Sequence, residues 1–250
     1  MSNSDTWRPQ WADILASIGL LSRLPVRIDA NWAETRGANQ CWAYAVAGVL
    51  VGAITILVAS LSMMLHLPDL AIGFIIIATT AYVTGAIHYD GLADSLDGLW
   101  GGWTQAQRLD IMKDSHIGVY GVIGVVCMVG LQATLYGHIV TETVWPVIGV
   151  MAMSRAVMVP VMTWLKNAKT SGLSAQVGRP SVATAILALI VGTCVALLSG
   201  AWPAIFGSVI AALAVGKIAK HKIGGQTGDI LGAIQQLAEV CSLIFVIALA

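Results

Sequence analysis

Apolar runs recur along almost the whole chain, and their lengths set the first expectations. Stretches at roughly 42–65, 69–87, 118–139, 144–164, 181–199, 202–216 and 234–250 read as transmembrane helices, because about 20 apolar helical residues match the hydrocarbon thickness of a bilayer. An earlier run, WADILASIGLLSRL at 11–24, is too short to span. Its Trp11, Ile14, Leu15, Ile18 and Leu21 recur at helical spacing. That predicts either an interfacial amphipathic helix ended near Pro25 or a re-entrant helix packed on the bundle. The expected fold class is therefore all-α, a polytopic integral membrane bundle of about seven transmembrane helices plus this N-terminal helix. A single domain is expected over 1–250, with 1–41 as an N-terminal cytoplasmic or interfacial segment.

Composition sharpens this picture. The chain is 57% hydrophobic and only 10% charged, against about a quarter charged in soluble domains. A formal net charge of zero argues against a nucleic-acid partner, which needs a bulk basic field. Cys41, Cys127, Cys194 and Cys241 lie in or beside apolar runs without C-x-x-C spacing, and read as packing residues. The opening MSNSDTWRPQWADIL lacks the basic, apolar and small-residue succession of a cleaved signal peptide. With a cytoplasmic amino terminus, twelve of the 13 basic residues fall on the cytoplasmic side, in four groups: Arg8 to Arg36; Arg108 and Lys113; Lys166, Lys169 and Arg179; and Lys217, Lys220 and Lys222. The thirteenth, Arg155, falls within a span. This bias sets the orientation.

One polar, acidic island breaks the apolar pattern between Gly85 and Gly121, and 88–117 reads as a cytoplasmic active-site segment. Asp90, Asp94 and Asp97 are spaced i, i+4, i+7, so on a helix they fall at about 0°, 40° and −20°, one acidic stripe. Such carboxylates repel each other unless a cation fills the stripe, and hard oxygen ligands suit Mg²⁺, Mn²⁺ or Ca²⁺. A solvated helix face is the simpler alternative. Asp110 and Asp114 form a second i, i+4 pair flanked by Arg108 and Lys113. Gly91, Gly98, Gly101 and Gly102 leave backbone open where a bulky anion could approach. Together these features suggest phosphoryl or nucleotidyl transfer at a membrane face.

Other residues carry two readings each. Arg155 mid-span needs a carboxylate, a phosphate or water. His88 and His116 bracket the island as interface hydrogen-bonding groups or as a general base. Gly224 to Asp229 is a glycine-rich loop opening the last span, where backbone N–H groups suit phosphate and Asp229 can add a ligand. Glu239, inside an apolar helix, is expected to face protein. Trp42, Trp145, Trp164 and Trp202 fit an aromatic belt.

At these residues the chain resembles the cobalamin synthase family, the cobalamin-5′-phosphate synthases. The matching block is His88-x-Asp90-Gly91-Leu92-Ala93-Asp94-x-x-Asp97-Gly98-Leu99, then Gly101-Gly102. It continues through Arg108-Leu109-x-Ile111-Met112-Lys113-Asp114-Ser115-x-Ile117-Gly118-x-x-Gly121. Outlying matches are Arg23-Leu24-Pro25-Val26, Ser154-Arg155 and Thr227-Gly228-Asp229-x-Leu231-Gly232-Ala233, so the likeness covers essentially the whole chain. The loop Asn167 to Arg179 departs from it, being richer in lysine and poorer in proline.

The resemblance implies a Mg²⁺-dependent transferase of the bacterial inner membrane, with its active site facing the cytoplasm. It would join adenosylcobinamide-GDP to α-ribazole or its 5′-phosphate, releasing GMP. Asp90, Asp94 and Asp97 would hold Mg²⁺ on the diphosphate, and one of them or Asp114 would take the hydroxyl proton. Lys113, Arg108 and Arg155 would stabilise phosphate charge, with His88, Gly91, Gly98 and Asp229 also placed at the substrate. The expected partners are these two substrates and the lipid bilayer, in a homo-oligomer or an assembly with other enzymes of the pathway. The nearest alternative is a CDP-alcohol phosphotransferase of phospholipid synthesis, whose aspartates are more widely spaced. A transporter or cation channel is a further alternative, disfavoured by spans nearly free of carboxylates.

Overall fold

The structure is a computed structural model that describes residues 8–249. The first seven residues of the expected N-terminal segment, and the last residue of the expected final span, lie outside the described residues. The described chain is helical, without a strand. In order, α1 is Trp11–Leu21, α2 Ala30–Arg36, α3 Tyr44–Met64, α4 Asp69–Thr84, α5 Ile87–Gly101, α6 Gln105–Ile111 and α7 Val119–Glu142. Then follow α8 Pro146–Ala156, α9 Met158–Trp164, α10 Leu173–Val177, α11 Val182–Leu198, α12 Ala204–Ile223 and α13 Gly228–Leu249.

Among the described residues, five helical stretches are long and apolar enough to cross a membrane: Asn31–Met64, which contains α3; α7; Pro146–Trp164, which joins α8 and α9; α12; and α13. The two remaining expected spans correspond to shorter apolar helices, α4 with 16 residues and α11 with 17. The expected span at 69–87 stops early. Gly85 and Ala86 both take left-handed backbone, with φ of 63° and 57°, and α5 leaves at 94° to α4. The turn keeps its hydrogen bonds, since the Ala86 N–H donates to Ala81 O at 2.8 Å. α5, which carries the acidic stripe, therefore stands outside the five spans. The expected short span at 202–216 continues to Ile223 before Gly224 ends it at φ 73°. The final helix starts at Gly228 rather than 234, because its polar first turns pack inside the protein.

α13 is the hub, packed against α12, α5, α8 and α7. The N-terminal helix α1 packs on α3 and the turn before it. Asp13 fixes it there: it is fully buried and receives Arg36 at 2.6 and 2.8 Å and the Trp42 Nε1–H at 2.7 Å. Glu239 faces protein, as its position in an apolar helix requires. Buried on α13, it accepts from Tyr136 at 2.8 Å, Gln235 at 2.6 Å and Gln132 at 3.3 Å.

Candidate active site

The three stripe aspartates share α5 but not an environment. Asp90 is exposed, Asp94 is half-buried and Asp97 is buried. Asp97 turns toward α7, where its carboxylate accepts the Gly118 N–H at 2.7 Å and the Gly121 N–H at 2.9 Å. A helix start leaves such N–H groups without intrahelical partners and carries positive partial charge, so a carboxylate there is doubly favoured. Among the described residues, no three His, Cys, Asp or Glu side chains are grouped so as to hold a metal ion. The expected convergence of Asp90, Asp94 and Asp97 is thus not formed, because Asp97 is committed to α7.

Asp94 keeps the electrostatic character expected of the stripe. Partial burial pushes its pKa up to about 7, and repulsion from Asp90, Asp229 and Asp97 adds to this, against the opposing charge of Lys169. Asp229 thus joins Asp90 and Asp94 in one acidic environment. The reason is a close helix contact: a Cβ on Gly91 would stand 2.9 Å from Asp229 O and 3.2 Å from the Gly232 Cα. α5 and α13 meet backbone to backbone at this seam.

A pocket of about 300 Å³ opens beside the seam. Asp90, His88 and Gly91 form its α5 wall, and Asp229 and Gly232, with Thr227 just before the helix, its α13 wall. Leu21, Tyr44, Met158 and Met162 supply an apolar side. The loop between α9 and α11 completes it from Asn167 to Val177. Lys169 on that loop donates to Asp229 Oδ2 at 3.1 Å and to Met112 O at 3.3 Å. Asn167 pairs with Gln226 and with Ser174, and a single parallel bridge joins Asn167 to Gln226. Sequence reasoning singled out neither Lys169 nor this loop as part of the site. Lys169 was visible there only as one of several cytoplasmic bases.

The remaining expected residues are distributed as follows. Arg108 donates to Lys222 O at 3.0 Å, at the end of α12. Lys113 is exposed, 3.7 Å from Asp110. Asp114 is exposed and bound to the His116 ring at 2.7 Å, which holds the Asp114 pKa below and the His116 pKa above its ordinary value. Gly98 is buried, and α6 fills its open side, with Arg108 O 2.8 Å from where a Cβ would stand. Arg155 is 1% exposed inside the bundle, donating to Met151 O at 3.0 Å and lying 4.0 Å from Glu239. Of the expected set, His88, Asp90, Gly91 and Asp229 line the pocket.

This architecture defines a class: a multi-pass helical membrane protein with a small-molecule pocket rimmed by carboxylates. The chain belongs to the cobalamin-5-phosphate synthase family, whose model matches residues 13–247. It is similar to the adenosylcobinamide-GDP ribazoletransferase of Bradyrhizobium diazoefficiens, 38% identical over 250 residues that cover 96% of this chain and 95% of the relative. Sinorhizobium medicae has a relative of the same name at 37% identity, covering 94% and 96%. One from Brucella canis is 33% identical, covering 93% and 95%. No solved structure matches the chain.

Proposed function

We propose that this chain joins adenosylcobinamide-GDP to α-ribazole, or to α-ribazole 5′-phosphate, and releases GMP in the assembly of the cobalamin nucleotide loop. The chain is a transferase of that family. The observation that carries the reading is the pocket at the α5–α13 seam, where the block shared with the family meets the Thr227 to Ala233 segment.

The chemistry follows from the groups around the pocket. A ribose hydroxyl of the acceptor attacks the phosphorus attached to cobinamide, and the bond from that phosphorus to the GMP oxygen breaks. Asp90 stands at the pocket wall to take the hydroxyl proton. Lys169, already drawn toward the acidic groups, supplies an ammonium group that would pair with the diphosphate oxygens. Asp97 holds α7 against α5 and so fixes the angle of the acidic helix. Asp94 and Asp90 would supply the one or two carboxylates that a Mg²⁺ ion takes, its other positions being filled by water and substrate phosphate. Bound there, Mg²⁺ would neutralise the charge that develops on the diphosphate.

This reading includes the bacterial inner membrane, with the pocket open to the cytoplasm, because the chain's basic residues gather at that end. The test is GMP release by the protein purified in detergent. Adenosylcobinamide-GDP with α-ribazole should release GMP in a Mg²⁺-dependent way, while CDP-diacylglycerol with an alcohol acceptor should release no CMP. Turnover of the lipid substrate alone would overturn the assignment.

A further inference from the structure

A second cavity, of about 370 Å³, lies at the far end of the bundle. α7 and α13 start beside the acidic helix and finish at this cavity, which the end of α11 and Pro146 of α8 complete. Its inner surface is apolar, made by the buried Ile139, Pro146 and Val246. The exposed rim carries His138 and Glu142, one turn apart on α7, and Trp145. Glu142 stands at the unfavourable end of its helix, because C-terminal carbonyls carry negative partial charge and favour a cation there. α11 and α13 bring their own C-terminal ends to the same place. Among the described residues, none of the three helices has a base in its last turn. No lysine or arginine lines the cavity, and Glu142 has no ion-pair partner among the described residues. The protein thus gathers negative potential here with no cation of its own to offset it. Depth in the membrane is marked by Trp145 and Trp202, both exposed at this end. Exposed tryptophans at the ends of spanning helices sit at headgroup level.

We infer that this cavity seats the headgroup of an ethanolamine phospholipid of the bilayer, with the lipid ammonium on the Glu142 carboxylate. The ammonium has three N–H donors, and a carboxylate at a helix C-terminus is the acceptor such a group suits best. The lipid phosphate lies beside it in the headgroup, where the Trp145 indole N–H and the His138 ring stand on the same rim. The cavity is at the small end of ligand pockets, large enough for the headgroup and too small for the acyl chains. Those chains run down the outside of the bundle, where Ile186, Ile190 and Leu197 form an exposed apolar strip on α11 that leads to the cavity. Other occupants match less well. One carboxylate and one imidazole are too few ligands for Mg²⁺ or Ca²⁺. An anionic lipid meets Glu142 with no base beside it. A choline headgroup has no N–H to donate and is held best by several aromatic rings, whereas a single tryptophan lines this cavity. The site is independent of the transferase chemistry, which occupies the other end of α7 and α13.

The experiment incubates delipidated protein in detergent with an equimolar mixture of dioleoyl lipids bearing ethanolamine, choline and glycerol headgroups, and counts the retained lipids by mass spectrometry. Wild type should retain the ethanolamine lipid over each of the others by about tenfold, the worth of one charge-assisted hydrogen bond. Lipids with a mono- or dimethylated ethanolamine, which lose N–H donors one at a time, should fall between ethanolamine and choline. Glu142→Gln should abolish the preference, and Glu142→Lys should turn it toward the anionic glycerol lipid. Glu142 is exposed and remote from the acidic helix, so both variants should keep the lipid-free unfolding temperature and the rate of GMP release. Thr143→Trp, on the same exposed rim, fills the mouth and should lower retention of the ethanolamine lipid in a folded protein. Equal retention of the three lipids by wild type, or an ethanolamine preference that survives Glu142→Gln, would overturn the site. Glycerophosphoethanolamine has the headgroup without the chains, and equal competition by it would overturn a lipid as the occupant.

Discussion

Lys169 Nζ lies 3.1 Å from Asp229 Oδ2, so a residue of the α9–α11 loop closes onto the first turn of the last helix. Both side chains are largely shielded, and Asp229 in turn raises the energy of the Asp94 carboxylate. This one contact links the loop, the α13 wall and the acidic helix.

Replacing the lysine should therefore affect catalysis more than folding. Lys169→Ala is expected to lower kcat for GMP release by about a hundredfold, the scale of removing one preorganised charge at a reacting phosphate. Helix content in detergent should be unchanged by circular dichroism. A variant with near-normal kcat would remove Lys169 from the mechanism.

The pKa of Asp94 near 7 gives a pH signature with a defined sign. Its carboxyl is raised above the ordinary value, so between the usual carboxylate range and pH 7 the folded protein binds a proton that the unfolded chain has released. Stability without metal should fall as pH rises through that window. A cation favours the ionised form, so the thermal shift produced by Mg²⁺ should be larger at pH 8 than at pH 6. Asp94→Asn should flatten the difference and remove Mg²⁺-dependent turnover. Equal Mg²⁺ shifts at pH 6 and pH 8 in wild type would count against a cation at Asp94.

Asp97 should behave differently from its neighbours on the stripe. Asp97→Ala strips two N–H groups of α7 of their acceptor and is expected to cost about 1–2 kcal/mol, as for other helix-start carboxylates. Thermal unfolding in detergent checks this. Asp94→Ala, whose carboxylate holds no such bonds, should leave the midpoint nearly unchanged or raise it.

Inside the bundle, Arg155 and Glu239 make an unequal pair. Glu239→Gln keeps one acceptor oxygen for Tyr136 and Gln132 but turns its amide N–H₂ on the Gln235 donor and strands the permanently charged Arg155. It should be tolerated worse than Arg155→Met, which leaves a carboxyl group that can become neutral. Breaking such a pair from one side costs about 3–5 kcal/mol. Yield and unfolding temperature of the two variants should rank accordingly.

The sequence carried the bundle clearly, because bilayer thickness translates directly into run length: α3, α7 and the α8–α9 pair fall within a few residues of their apolar runs. It carried the acidic island for a similar reason, since charge stands out in an apolar chain. What it could not carry were relations across distance. Nothing local marks Asp97 as the cap of a helix that begins 22 residues later, or distinguishes Lys169 from Lys166. The kink at Gly85 was hidden because Ala86, its second left-handed residue, has no sequence preference for that conformation. Arg155 showed that it needed a partner, but only the packing of α8 against α13 reveals that the partner is Glu239.

The glycine seam between Gly91 and Gly232 has a mechanical meaning. With 3.2 Å between one α-carbon and the place a methyl would occupy on the other, the two helices have no cushion of side chains to slide on. The acidic helix is thereby bolted to the last one, and the carboxylates beside the seam form an anvil that cannot recoil. Adjustment during turnover must come from the opposite wall, the short loop segment that Lys169 tethers.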